Sequence, residues 1–143
     1  MRSADLLAKQ SGASGFGHRA AGWRVTDALI DTLRDMGVRY DSSMMADDQP
    51  YLYRGLIQLP VYWIWDDSLF FRYAGQSRDS WYPPPISHVE QVWIGECDGI
   101  RAVGGLFVLT VHPWNAGRGS RLELLALVAT ARPSIRACAS IRC

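Results

Sequence analysis

The sequence has almost no net charge, few cysteines and no long apolar run. Its formal charge at pH 7 is +1, so composition gives no basis for a nucleic-acid or anionic-membrane partner. The three cysteines, Cys97, Cys138 and Cys143, form no C-x-x-C pair, and an odd count favours a reducing compartment over secretion. No apolar run approaches the roughly 18 residues that span a bilayer, and the amino terminus lacks the apolar centre of a signal peptide. We therefore expect a soluble, cytoplasmic protein.

Histidines are equally sparse. The three histidines, His18, His88 and His112, never lie three or four positions apart, so H-x-x-H and H-x-x-x-H are absent, and no cysteine pair has zinc-ribbon spacing. The sequence also lacks a G-x-S-x-G elbow, a P-loop and a G-x-G-x-x-G turn. From the residues alone, we predict no complete zinc site in this chain.

What the sequence does contain is an alternation of strand and helix patterns in an ordinary globular composition, 48% apolar and 20% charged over 143 residues. A chain of this length is one domain by the size prior, and the alternation predicts an α/β fold with mostly parallel strands. The predicted helices lie at 3–10 (capped by Ser3), from Thr26 to Gly37, from Ser87 to about Gly104 and from Ser120 to Pro133. The predicted strands lie at 38–43, 56–65 (an edge or bulged strand because of Pro60) and 106–111, with loops at 45–55 and 66–85.

The last predicted strand ends in "VHPW", which places His112 directly before a proline. In α/β folds, functional side chains lie at the carboxyl ends of strands, and Pro113 would fix the turn that follows. His112 is therefore a candidate active-site residue. A histidine satisfied inside the core is the alternative, just as Asp66-Asp67 could be a helix cap and Arg19 a surface residue. The tryptophans, including Trp81 and Trp65, could be core or interface residues.

Three segments in order resemble the polysaccharide deacetylases, the NodB-like carbohydrate esterases, and especially their branch of peptidoglycan deacetylase-like and cyclic-imide hydrolase-like members. "GFGHRAAGWRVTDALIDTLRDMGVRYDSSMMADDQPY" resembles the third motif region of that family, although Ala21 stands where proline is usual. "LIQLPVYWIWDD" resembles the fourth motif, and "GGLFVLTVHPWNAGRGSRLELL" resembles the fifth. The resemblance covers about residues 14–126 and implies a partial (β/α) barrel of the NodB type.

The resemblance also implies roles for individual residues. His112 matches the histidine that protonates the leaving amine, a role that suits imidazole because its pKa lies near working pH. Arg19 matches the arginine that orients the catalytic base. Asp66 or Asp67, which the sequence cannot separate, matches the aspartate that supports the histidine. Trp63 and Trp114 would wall the substrate pocket, and Trp23 is a further candidate for substrate binding.

The family's divalent metal, usually zinc, binds an aspartate and two histidines of its first two motifs, which lie upstream of every segment matched here. We therefore expect residues 1–143 to be the C-terminal portion of a deacetylase-like domain and to hold no metal alone. The expected function is metal-dependent hydrolysis of non-peptide C–N bonds, removing acetyl groups from N-acetylated carbohydrate. The expected partners are a carbohydrate or cyclic amide substrate and, through an exposed sheet edge, a second copy of the chain. Two alternatives are a non-catalytic remnant that binds sugar or a partner, and an unrelated α/β domain in which His112 is structural.

Overall fold

The computed structural model describes residues 15–72 and 83–130. By contacts, the chain divides into two compact units, residues 1–60 and 61–143, which are described separately below. The predicted helix at 3–10, Trp81 and the segment after Thr130 lie outside the described residues, as do Cys138 and Cys143. No helix among residues 15–72 and 83–130 combines the length and the apolar character that a membrane crossing requires.

Helix α1 of the first unit, Asp27–Asp35, confirms its sequence prediction. The Thr26 hydroxyl accepts a hydrogen bond from the Leu29 amide at 3.3 Å, which satisfies one of the amides that a helix start leaves unpaired. Ile30 and Leu33 are buried on one side of the helix. The chain turns out of the helix at Gly37, whose φ of +74° is a conformation that glycine adopts without strain.

The sheet of the first unit has three short strands, β1 (Tyr40–Asp41), β2 (Tyr51–Tyr53) and β3 (Leu56–Gln58), in the order β1-β3-β2. Strand β3 pairs with β1 in parallel and with β2 antiparallel. A two-residue turn joins β2 to β3 with positive φ at both Arg54 and Gly55, the geometry that matches the twist of a hairpin. The core beneath the sheet contains Ile30, Leu33, Val38 and Leu56.

Two predictions for this region were wrong. The predicted loop at 45–55 contains β2, because the Arg54-Gly55 turn lets Tyr51–Tyr53 pair back onto β3. The predicted strand at 56–65 ends at Gln58 and is the central strand of the three rather than an edge. Pro60 lies beyond its end, where a missing amide removes no ladder hydrogen bond, and Trp63–Trp65 forms a 3-10 turn.

The second unit is helical in its described residues. It contains α2 (Asp67–Phe71), α3 (Ile86–Ala102), α4 (Pro113–Ala116) and α5 (Ser120–Thr130). Its core brings one face of α3 against α2 and α5, with the Trp93 indole N–H donating to the Ile64 carbonyl oxygen at 2.9 Å. The buried members of this core are Phe70, Phe71, Val89, Trp93, Leu124 and Val128.

The structure corrects three predictions in this unit. The segment predicted as the irregular loop 66–85 begins with α2, because Asp66 caps a helix there. Helix α3 begins at Ile86 after Pro85, with no side-chain cap from Ser87. The predicted strand at 106–111 makes one isolated parallel bridge, Asp66 with Thr110. The pairing does not continue from Asp66 towards Trp63, because the residues there form a 3-10 turn in which the Trp65 amide donates to the Tyr62 carbonyl oxygen.

The fold is therefore mixed α/β with a small open sheet. Of the two strand pairings, one is parallel and one is antiparallel, whereas both isolated bridges, His18 with Asp41 and Asp66 with Thr110, are parallel. The prediction of mostly parallel strands is thus met only in part, because the hairpin adds an antiparallel strand. The partial barrel remains a prediction.

Candidate functional site

The bridge between Asp66 and Thr110 positions the candidate site of the second unit. The Thr110 amide donates to the Trp65 carbonyl oxygen at 2.7 Å, and the Asp67 amide donates to the Thr110 carbonyl oxygen at 3.0 Å. These two bonds align the start of α2 with the residues just before His112. His112 is extended and precedes α4, which begins at Pro113, a position where proline costs no helix hydrogen bond.

His112 is held by Asp67 through both oxygens of the carboxylate. Asp67 Oδ1 lies 2.6 Å from His112 Nδ1, and Asp67 Oδ2 accepts the main-chain N–H of His112 at 2.8 Å. The Asp67 side chain is fully buried, and the His112 side chain is 18% exposed. A buried carboxylate that holds one ring nitrogen leaves the other, Nε2, to react on the accessible side.

Asp66 has a different set of contacts. Its Oδ1 accepts the Ser68 amide at 2.7 Å and also the Ser68 hydroxyl, which makes it the N-cap of α2. The distance from Asp66 Oδ1 to His112 Nδ1 is 3.8 Å, beyond hydrogen-bonding range. The two adjacent aspartates therefore divide the work: Asp66 starts the helix and Asp67 orients the histidine.

A metal ion is a second chemistry to test at these residues. Asp66, Asp67 and His112 each offer a ligand atom within 4.8 Å of the others. However, Asp67 Oδ1 already shares a hydrogen bond with His112 Nδ1, and Asp67 Oδ2 accepts one from the His112 main-chain N–H. Asp66 Oδ1 likewise accepts the Ser68 amide. A metal ligand set needs lone pairs directed at the ion, with the hydrogen bonds in the surrounding shell. The cluster as arranged does not fit a metal ion.

Two predicted aromatic residues lie exposed in this unit. Trp114 is 59% exposed, and its ring centroid is 5.3 Å from that of His112. Trp63 is 64% exposed, whereas its neighbour Trp65 is buried and packs edge-on against Tyr62. Trp114 therefore presents an open aromatic surface beside the imidazole, and Trp63 presents another in the same unit.

Arg19 and Trp23 lie in the first unit. The Arg19 guanidinium donates from Nε to the Ser42 carbonyl oxygen at 2.8 Å and from a terminal nitrogen to the Ser42 hydroxyl at 2.7 Å, so the residue that follows β1 fixes its direction. Trp23 is half-buried at the end of a 3-10 turn, and its φ of +56° is strained for a bulky side chain. The predicted grouping of Arg19 with His112 stays a prediction.

Sequence reasoning missed a second histidine–aspartate pair, His18 with Asp41. His18 lies in a segment that pairs with β1, and Gly17 permits this pairing because a Cβ there would meet the Tyr40 ring at 2.2 Å. Asp41 is fully buried in β1. The partners are 23 positions apart, so only the pairing of the two segments reveals the contact.

A solved structure from Mycobacterium smegmatis, described as a "putative polysaccharide deacetylase", shares this fold. The match covers 94% of this chain at a TM-score of 0.82 and 27% sequence identity. This chain spans about half of that protein, 49% of its length. The resemblance predicted from the motifs is confirmed at this level: the chain has a deacetylase-like fold, with partial coverage of its neighbour.

Two other comparisons gave no match. No protein-family model matches the sequence, and no curated protein matches it at a significant level. The likeness in fold therefore supports a hydrolase resemblance for this chain at the level of the family, and the reaction itself is taken up below as a proposal.

Proposed function

We propose that this chain is part of a hydrolase that removes acetyl groups from N-acetylated carbohydrate. The observation that carries the proposal is the two-point contact of buried Asp67 with His112, in a chain whose fold matches a deacetylase-like neighbour. The reaction breaks a non-peptide C–N bond. Water adds its oxygen to the carbonyl carbon, and the nitrogen leaves as an amine once it gains a proton.

His112 is the proton donor in this proposal. Its Nδ1–H is fixed on Asp67, so a proton carried on Nε2 is the one available to the leaving nitrogen. The Asp67 carboxylate stabilises the protonated ring before the proton is transferred, and it keeps the ring in one orientation. After transfer, the neutral imidazole has its lone pair on Nε2 and can take a proton from water to restart the cycle.

Trp114 is the proposed sugar platform. An exposed indole beside the proton donor offers an apolar face that can stack against a pyranose ring while the sugar hydroxyls stay in water. Trp63 and Trp23 are proposed as further substrate contacts, and Arg19 as the group that orients a base. The divalent metal that the resemblance implies would activate water and polarise the carbonyl. Because the Asp66-Asp67-His112 cluster does not fit it, no step is assigned to a metal on this chain.

The test is acetate release from oligomers of N-acetylglucosamine, followed by proton NMR. His112→Gln should lower the rate by ~10²–10⁴-fold, the usual contribution of a positioned general acid. His88→Gln is the matched control, since His88 is exposed on α3 and should leave the rate unchanged. A His112→Gln variant as active as the parent chain would refute the proposal.

A second candidate is a non-catalytic sugar-binding chain. It is favoured by the same hydrogen bonds that leave the Asp66-Asp67-His112 cluster unsuited to a metal. In the same experiment this candidate predicts that the oligomer binds, seen as quenching of Trp114 fluorescence, without release of acetate. A Trp114→Phe variant identifies the source of that signal.

A further inference from the structure

The His18–Asp41 pair of the first unit repeats the chemistry of the His112–Asp67 pair. His18 Nδ1 lies 2.7 Å from Asp41 Oδ1. The Asp41 side chain is fully buried, whereas the His18 side chain is 28% exposed. As in the other unit, a buried carboxylate holds one ring nitrogen of a histidine that reaches the surface, and its second oxygen accepts a main-chain N–H, here that of Ser43 at 3.1 Å.

The hydrogen bonds around Asp41 determine where the protons lie. The Ser43 hydroxyl accepts the Ala20 N–H at 2.8 Å, so its own hydrogen is directed to Asp41 Oδ1 at 2.9 Å. Asp41 thus receives an N–H and an O–H, which requires an acceptor carboxylate. The neutral His18 ring must then carry its hydrogen on Nδ1, and the lone pair lies on Nε2.

Gln58 gives a second, independent sign of a ligand. Gln58 is fully buried, with 0% solvent exposure. Nevertheless, neither its Oε1 nor its Nε2 has a hydrogen-bond partner among the residues described. Buried amides of this kind are rare, because an unmet donor and acceptor destabilise the fold. Its site calls for a group that can both donate and accept.

These residues lie in one row. Asp41 is in register with Gln58 across the β1–β3 pairing and with His18 across the parallel bridge. Paired residues on neighbouring strands have side chains on the same face of a sheet. The row therefore runs from the exposed His18, through buried Asp41, to the unsatisfied amide of Gln58.

We propose that this row is a binding site of the first unit, for a ligand that presents hydroxyl groups. His18 Nε2 accepts a hydrogen bond from a ligand O–H at the exposed end, and Gln58 exchanges hydrogen bonds with an O–H at the buried end, either from the same ligand or from a water held beneath it. The site deepens the proposed function and rests on it, since carbohydrate is the hydroxyl-rich ligand which that function supplies.

The test is NMR of the chain labelled with ¹⁵N in its histidine rings. In its neutral form, His18 should carry its hydrogen on Nδ1, which is the minor form of free histidine, and glucose should shift its Nε2 resonance. Acetamide, which has an amide and no hydroxyl, should not shift it. His88, read in the same spectra, is the internal control for unspecific effects of added sugar.

Two variants separate a ligand site from a structural ion pair. Gln58→Leu removes the unmet amide and should weaken the apparent affinity for glucose roughly tenfold, the loss of one good hydrogen bond. His112→Gln should leave the His18 response unchanged, so a failure of the proposed reaction and a failure of this site can be told apart. The proposal is overturned if the neutral His18 ring carries its hydrogen on Nε2, if glucose leaves its resonances in place, or if Gln58→Leu responds like the parent chain.

Discussion

Asp67 contacts His112 twice, at the ring nitrogen Nδ1 and at the main-chain N–H. Asparagine at position 67 would keep the shape but replace one oxygen with an N–H₂ group. If that group faces the ring, the imidazole must accept at Nδ1 and carry its hydrogen on Nε2. We therefore expect Asp67→Asn to reverse the ring form of His112, seen by ¹⁵N NMR, and to lower acetate release by ~10²-fold or more.

Asp66→Asn is the matched control for that experiment. Asparagine is as good an N-cap as aspartate, and Asp66 makes no hydrogen bond to the His112 ring, since the atoms are 3.8 Å apart. The ring form of His112 and the rate should both stay close to those of the parent chain. Equal damage from the two variants would show that the aspartates act together, contrary to the division argued above.

Metal content is a separate prediction. Because the ligand atoms of the Asp66-Asp67-His112 cluster already share hydrogen bonds, we expect the purified chain to contain no stoichiometric zinc. Elemental analysis after dialysis checks this. About one zinc per chain in the parent, lost in His112→Gln, would mean that the cluster rearranges around an ion.

The core of the second unit can be tested on one helix. Leu124 is 3% exposed in α5, and Leu122, two positions earlier, is 52% exposed. Leu124→Ala should lower the free energy of unfolding by about 2–5 kcal/mol through lost burial and a residual cavity. Leu122→Ala should change it by less than ~0.5 kcal/mol. Urea unfolding followed by tryptophan fluorescence measures both free energies. Similar losses of stability in the two variants would mean that α5 does not pack through the face that contains Leu124.

The contact between Arg54 of the hairpin turn and Asp31 of α1 should make the stability of the fold depend on pH. A hydrogen bond from Arg54, whose charge adds to the effect, lowers the pKa of Asp31 from its usual 3.8. A carboxyl whose pKa is lowered by folding stabilises the fold above its unfolded pKa and loses that effect as pH falls through the folded value. Arg54→Asn keeps a residue that tolerates positive φ but removes the charge.

The melting temperature of Arg54→Asn should therefore lie below that of the parent at pH 7, and this difference should become smaller as the pH falls below 3.8, where Asp31 takes up its proton. Arg54→Lys, which keeps the charge, should retain most of the pH dependence. If the melting temperatures of Arg54→Asn and the parent differ equally at pH 7 and at acid pH, the loss of stability comes from the backbone of the turn and not from the ion pair.

Self-association is expected through β2, an edge strand of the sheet in the residues described. Its central residue, Leu52, is 72% exposed, and an unpaired apolar edge is a template for pairing with another copy. Sedimentation velocity should show concentration-dependent association of the parent chain. Leu52→Lys should reduce it, because a charge on an edge opposes strand pairing, whereas a monomeric parent would contradict the prediction.

The parts of the fold that the sequence predicted well are governed by local signals. Helix α1 follows from Thr26, the apolar spacing and Gly37, all within a dozen residues. Helix α3 was predicted from the same kind of local pattern, and its residues Val89, Trp93, Cys97 and Ile100 are buried at helical spacing. Such patterns need no knowledge of the rest of the chain.

The errors came from tertiary pairing. Residues 106–111 have strand composition but find a single bridge partner, because the facing residues turn at Trp63–Trp65. Strand composition indicates a pleated, half-buried environment and does not supply a neighbour. The adjacent Asp66 and Asp67 could not be separated by sequence for a similar reason: their roles differ only in which groups the start of α2 brings to each carboxylate.

The contact between Asp67 and His112 depends on a short helix, α2. The helix has five residues and starts at Asp67, with the Leu69 amide donating to the Asp66 carbonyl oxygen and the Arg72 amide donating to the Ser68 carbonyl oxygen, each at 3.2 Å. A helix of little more than one turn can open locally without global unfolding. Each opening would release His112 from its carboxylate, so the fraction of time that α2 is closed sets the fraction of molecules with an oriented imidazole. A substitution that loosens α2 would then lower the observed rate in proportion to that population, while the chemistry in each closed molecule stays the same.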